Sequence, residues 1–140
     1  MNSVVKDKIW DVVVIGGGPS GMMAAGTAGA NGAKVLLIEK NPTLGKKLLI
    51  TGGGRCNVTN AQLDTRKLLD KFGGVGKFLF SAFSQWNVQD TLDFFHRRGM
   101  KTKIENELRV FPVSDKAKSV WDVMVNYIKR LDRICNRYSI

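Results

Sequence analysis

The chain has 140 residues, of which 44% are hydrophobic and 24% charged, a balance that fits one globular unit able to bury a core and excludes disordered and fibrous classes. Its formal charge of +10 favours a phosphate-bearing or polyanionic partner, without separating a nucleotide cofactor from nucleic acid or from a merely solvated basic surface. No apolar run approaches the ~20 residues of a membrane span, and "MNSVVKDKIW" lacks the apolar core and small-residue cleavage site of a signal peptide, so a cytoplasmic location is expected.

Asp11 to Ile15 is a continuous β-branched run, the pattern of a strand buried on both faces of a parallel sheet. Glycines end it, and from Pro19 to about Asn31 small residues predict a helix packed closely on a sheet, stopped by Gly32. "KVLLIE" reads as a second buried strand. Two parallel strands joined by one helix require a right-handed crossover, a βαβ unit over about 10–40.

Over about 41–60, "NPTLGKK" and "TGGGRCNVTN" carry too many turn residues for regular structure and read as loop with one short helical turn; the intervening "LLI" is too short to assign. The stretch 61–99 reads as helical. One helix is predicted over Asn60 to Phe72, broken by "GGVG", and another over Gly76 to Phe83. A clearer one follows, capped by Asn87, with Asp90 in its first turn, Val88, Leu92 and Phe95 at helical spacing, and Gly99 as its stop.

Over about 100–131, "MKTKIENELRVFP" predicts a hairpin turning at Glu105 and Asn106 and closed by Pro112. Ser114 is then expected to cap a helix carrying Val120, Val123, Met124, Tyr127, Ile128 and Leu131 on one face. The tail 132–140, within "DRICNRYSI", is too polar for a buried strand.

Gly16, Gly18 and Gly21 form G-x-G-x-x-G after a strand and at the start of a helix, which is the setting a dinucleotide site requires. Gly16 permits the tight turn, Gly18 lets backbone approach a pyrophosphate, and Gly21 lets helix and strand pack closely. Gly17, Pro19 and Ser20 complete the turn, whose phosphates would sit on N–H groups at the positive helix end. Glu39, followed by Lys40, stands where an adenosine ribose would pass; its carboxylate suits FAD or NAD and would repel a 2′-phosphate.

The second glycine cluster lies near the C-terminal ends of the strands, where open α/β sheets bind ligands. Backbone at Gly53 and Gly54 could approach a flavin or pyrophosphate, with Lys46, Lys47 and Arg55 supplying anion contacts. Cys56 beside Arg55 invites a redox-thiol reading, because a cation lowers a thiol pKa, but a lone cysteine is more often packed or cofactor-lining. Two distant cysteines, Cys56 and Cys135, give neither a disulfide framework nor metal-ligand spacing, and His96 reads as a surface residue.

On "DVVVIGGGPSGMMAA", "EKNPTLGKKLLITGGGRCNVTN" and "RVFPVSDKAKSV", the chain resembles the HI0933-like (BaiN/RdsA) family of NAD(P)/FAD-dependent oxidoreductases, over about Asp11 to Leu131. The resemblance implies an α/β fold, a partial Rossmann-like FAD-binding domain with the later strands of the sheet missing. It implies that Gly16, Gly18 and Gly21 serve the FAD pyrophosphate and Glu39 the ribose, and that Lys46, Lys47, Arg55, Cys56 and Asn57 line the cofactor cleft. It further implies hydride transfer from NAD(P)H through flavin to a carbon–carbon double bond in a small molecule or in RNA.

The resemblance implies family members several times the size of a minimal βαβ unit, with the FAD domain completed by a C-terminal segment after an inserted domain. The chain is therefore expected to be a truncated piece, inactive alone, whose complement could be a C-terminal chain from a split gene. Three alternatives stay open: an NAD-binding dehydrogenase half, a basic RNA-binding module favoured by charge alone, and a non-functional remnant.

Overall fold

In the computed structural model, which describes residues 9–129 and 134–136, the run after Asp11 forms strand β1 (Val12–Ile15). Helix α1 (Pro19–Ala30) follows, opened by proline in its first turn, where the missing N–H costs nothing. The chain reverses through Gly32 at φ +87° and enters β2 (Val35–Glu39), which pairs in parallel with β1 from Val12–Val35 to Ile15–Ile38. This is the βαβ unit the sequence predicts.

The next region is more ordered than its turn residues suggest. "KKLLI" forms a short helix, α2 (Lys46–Ile50), continued by a 3-10 turn over Thr51–Gly54. A two-residue strand β3 (Thr59–Asn60) precedes α3 (Thr65–Asp70), which is shorter than the predicted helix because the Asp64 carboxylate accepts from the Arg66 and Lys67 N–H groups and fixes the start there. Helix α4 (Gly76–Gln85) and helix α5 (Val88–His96) follow. Asn87 and Asp90 form a reciprocal capping box at the head of α5.

Strands β4 (Thr102–Glu105) and β5 (Arg109–Pro112) make the predicted hairpin, joined through Asn106–Leu108, and β5 also pairs antiparallel with β3. Helix α6 (Ala117–Ile128) starts three residues after Ser114, which is therefore not its cap; the Ser114 hydroxyl accepts from the Lys116 N–H at 3.4 Å in the preceding turn. Leu131, assigned to the apolar face of this helix, lies outside the described residues. A further correction concerns the tail: Ile134–Asn136 forms strand β6, parallel to β2. Strand pairing uses backbone groups, and that pairing holds despite the polar composition.

The chain divides into two compact units, Met1–Lys46 with Met124–Ile140, and Lys47–Val123. The first carries the parallel sheet, ordered β1-β2-β6, the second the antiparallel sheet β3-β5-β4. In the first, Met22, Ala25, Leu37 and Ile128 are fully buried, and the Tyr127 ring occupies the space where a Cβ on Gly26 would sit. β1 is not buried on both faces as expected: Val13 and Ile15 are 51% and 84% exposed. It lies at the sheet edge, and its side chains alternate between half-buried and exposed. Phe94, Phe95, Val110, Phe111 and Val120 belong to the core of the second unit. Among the described residues, no helix is long and apolar enough to cross a membrane.

Candidate dinucleotide site

The first unit assembles the glycine turn from β1, α1 and β2. Gly16 sits at φ +100°, a conformation closed to most side chains, and its N–H donates to Ile38 O at 2.7 Å. A Cβ on Gly21 would lie 1.8 Å from Gly16 O, so helix and strand approach as closely as they do only because Gly21 has no side chain. Around Gly18 the case is different. A Cβ there meets nothing within 4 Å, and the residue, at φ −74°, provides no side-chain cap for α1. The first helical bond returns from Met22 N–H to Gly18 O at 2.8 Å, so helix geometry leaves Ser20 and Gly21 N–H without intrahelical acceptors at the positive end.

Glu39 ends β2 and is only 7% exposed. Its Oε2 accepts from Gly17 N–H at 2.7 Å, and its Oε1 accepts from Asn41 N–H at 2.7 Å and Asn41 Nδ2 at 2.6 Å. These donors, Asn41 N–H first and then Gly17 N–H, together with the charge of Lys40, hold the carboxyl below its usual range against the cost of burial, so it is ionised at neutral pH. A carboxylate offers about four acceptor positions. Three are occupied, which leaves capacity at Oε2 for a hydroxyl.

Gly17 ties the pieces together. Its carbonyl accepts from Gly45 N–H at 2.8 Å, and a Cβ on it would lie 2.2 Å from Leu44 Cδ2 and 3.2 Å from Glu39. A methyl group at position 17 would therefore have to displace the buried Leu44 side chain. Lys40 and Lys46 are exposed in this unit, Lys46 opening α2.

The second unit contains Lys47, also exposed, and the loop "TGGGRCN". Gly52, Gly53 and Gly54 have φ of +56°, +64° and +85°, and Cys56 has φ +60°. Only glycine tolerates such a left-handed run cheaply. Arg55 donates from Nε to Asp115 Oδ1 at 2.8 Å and pairs through Nη2 with Glu105 and Asp115 at 2.5 Å. Its guanidinium lies 4.2 Å from the centroid of the Phe111 ring. Lys103 Nζ reaches Asp115 Oδ2 at 2.6 Å and Glu105 Oε1 at 3.2 Å.

Hydrogen bonds that Arg55 donates, to Glu105 first and then to Asp115, raise its pKa, while the cations depress those of Glu105 and Asp115. Cys56 is buried, and burial pushes its thiol up despite a hydrogen bond from Thr51, which fits the packed reading rather than a redox thiol. With its amide turned so that both ends are satisfied, Asn57 Nδ2 donates to Thr59 O at 2.8 Å and Val110 O at 3.2 Å.

The sequence reading placed Gly16 to Gly21 and Glu39 together, and the first unit brings them together. It missed Asn41, Leu44 and Gly45, of which only Asn41, a turn-former two residues after Glu39, left a local signal. It also missed Lys103, Glu105, Phe111 and Asp115 as neighbours of Arg55. His96 is exposed, as expected, with Nε2 2.8 Å from Thr102 Oγ1.

The family model of the HI0933-like protein Rossmann domain matches residues 10–137. The 3-dehydro-bile acid delta(4,6)-reductase of Clostridium scindens is 36% identical over 119 residues, covering 84% of this chain and 28% of that protein. The ribosomal RNA dihydrouridine synthase of Escherichia coli is 32% identical over 117 residues, with the same coverages of 84% and 28%. The crystal structure of Thermovibrio ammonificans THI4 superposes with a TM-score of 0.55 at 15% identity, over 91% of this chain and 38% of that one, a likeness of fold. The chain thus spans little more than a quarter of the length of the two curated relatives.

Proposed function

The chain belongs to the HI0933-like family, and from that premise we propose that it is the part of a flavin-dependent oxidoreductase that holds the ADP half of FAD. The observation that carries the reading is the junction of an uncapped helix start, an open Cβ position at Gly18 and an ionised, immobilised carboxylate at Glu39. The residues fit the group. The Ser20 and Gly21 N–H groups at the open helix start suit a pyrophosphate, and the remaining lone pair of Glu39 suits a ribose hydroxyl. Pro19 fixes the first helical turn. Lys40, Lys46, Lys47, Gly53, Gly54, Arg55, Cys56 and Asn57 are the further residues proposed to line the cofactor site.

Bound FAD supplies hydride acceptance and donation; the protein supplies position and electrostatics. The two relatives are named as a bile-acid reductase and a dihydrouridine synthase, which supports reduction of a carbon–carbon double bond as the reaction class, with NAD(P)H as donor. The substrate is a small molecule or RNA, and the charge of +10 favours RNA as a second reading. We place the reaction in the cytoplasm, and we assign its completion to residues outside this chain, in a longer polypeptide or a complementing C-terminal chain.

The test is equilibrium titration of the chain with FAD, ADP and NAD, read by intrinsic tryptophan and flavin fluorescence. Weak, saturable binding of FAD, displaced by ADP, is expected, with at least about tenfold weaker binding of 2′-phospho-ADP because Glu39 opposes the extra charge. Tight RNA binding with a steep salt dependence and no ADP binding would overturn the nucleotide reading.

A further inference from the structure

The motif "TGGGRCN" has an internal division that its composition conceals. Gly52 and Gly53 are exposed and Gly54 is half-buried, and a Cβ on Gly53 or Gly54 would meet nothing within 4 Å. The side chains of the other half engage the protein. Arg55 lies on carboxylates and a ring, Cys56 is buried, and Asn57 donates to the carbonyls of Thr59 and Val110.

We infer that Arg55 is a positioning residue: forked onto Asp115 and Glu105 and stacked on Phe111, it anchors the loop so that the left-handed backbone of Gly52 to Gly54 is presented to the ligand, and it is not itself an anion contact. This rests on the reading that the loop lines a flavin site.

Three arguments carry it. Arg55 and Lys103 face Glu105 and Asp115, so the cluster is formally neutral, and a phosphate approaching Arg55 meets two carboxylates as well as the guanidinium. The Phe111 ring is shared between the guanidinium and the loop, since a Cβ on Gly52 would lie 3.5 Å from Phe111 Cε1 and 3.2 Å from Asn57 N. Asp115 itself adopts φ +54°, an uncommon conformation for a residue with a side chain, and it is held there between two cations. The anchor therefore joins the loop to strand β4, strand β5 and the turn after the hairpin.

Cys56 is a reporter that needs no cofactor. In a Cys135→Ser background, its alkylation rate by N-ethylmaleimide reads how often the loop lifts away. Asp115→Asn is expected to raise the rate about fivefold and Arg55→Ala by a similar factor, with the double variant no faster than either single. Glu105→Gln provides a second, nearly isosteric disruption. Arg55→Lys should restore protection only in part, because an ammonium cannot reproduce the fork. The inference is overturned if Asp115→Asn and Glu105→Gln leave Cys56 protected, or if either tightens binding of inorganic pyrophosphate in a manner that Arg55→Ala abolishes, which is the behaviour of an unmasked anion contact. Failure of the flavin reading looks different: the Cys56 pattern holds while FAD and ADP fail to bind.

Discussion

Replacing Glu39 with glutamine changes little in volume and removes one charge from a carboxylate that accepts from three donors. Wild-type Oε1 accepts two hydrogen bonds from Asn41, and Oε2 accepts one from Gly17 N–H at 2.7 Å. A glutamine keeps its single oxygen best on Asn41, where it retains two bonds, and then turns its own NH₂ against the Gly17 N–H. The variant loses one charge-assisted bond, weakens two others and leaves a buried donor facing a donor. Hydrogen bonds to charged groups contribute about 1.5–3 kcal/mol each, so a loss of about 2 kcal/mol of folding stability is expected near neutral pH.

The pH dependence sharpens the expectation. The folded-state pKa of Glu39 lies below the ordinary value of 4.5. A carboxylate with a depressed folded pKa contributes stability that is present above the unfolded value and lost as pH falls through the folded one. Urea unfolding followed by tryptophan fluorescence should therefore show the deficit of Glu39→Gln at neutral pH and a deficit shrinking toward zero as the pH drops below about 4.5, at unchanged m-value. A deficit that is absent at neutral pH, or that stays constant into the acid range, would refute the role given to the ionised carboxylate.

The glycines separate packing from binding. Gly21→Ala places a Cβ against Gly16 O and is expected to cost at least about 3 kcal/mol by the same unfolding assay, whereas Gly18→Ala, at φ −74° with open space, should change stability by less than about 0.5 kcal/mol yet weaken ADP binding about tenfold. Gly26→Ala drives a methyl group into the Tyr127 ring and should cost about 1–3 kcal/mol, with a smaller additional loss when Tyr127 is already alanine, so a double-mutant cycle measures the contact directly. Asn87→Ala removes the side-chain acceptor of the Asp90 N–H while keeping the backbone half of the capping box on α5, and is expected to cost about 1 kcal/mol, partly recovered by Asn87→Ser.

What was legible in the sequence is what short-range physics determines. A β-branched run ended by glycines marked β1, the apolar stretch "KVLLIE" marked β2, the G-x-G-x-x-G spacing located the turn, and Asn87 with Asp90 announced the start of α5. β6 was not legible, because its place beside β2 depends on backbone partners nearly a hundred residues away. The same distance hid the partners of Arg55. Nothing near "TGGGRCN" marks Glu105 or Asp115, 50 and 60 positions on, as its counter-ions, and a cation beside glycines reads naturally as an anion contact. Ser114 misled for the opposite reason: a good capping residue stood close to a helix that starts later.

Gly17 has every one of its groups committed: its N–H to Glu39, its carbonyl to Gly45, and the face that would bear a side chain to Leu44. Positions 17, 39, 44 and 45 therefore form one inheritable unit, in which a methyl group at 17 is tolerable only alongside a smaller residue at 44. Among natural variants these four positions should change as a set or not at all. Engineering that re-aims the Glu39 carboxylate would thus have to redesign the following loop at the same time, since the same carboxylate holds Asn41 at the start of the chain leading to Lys46.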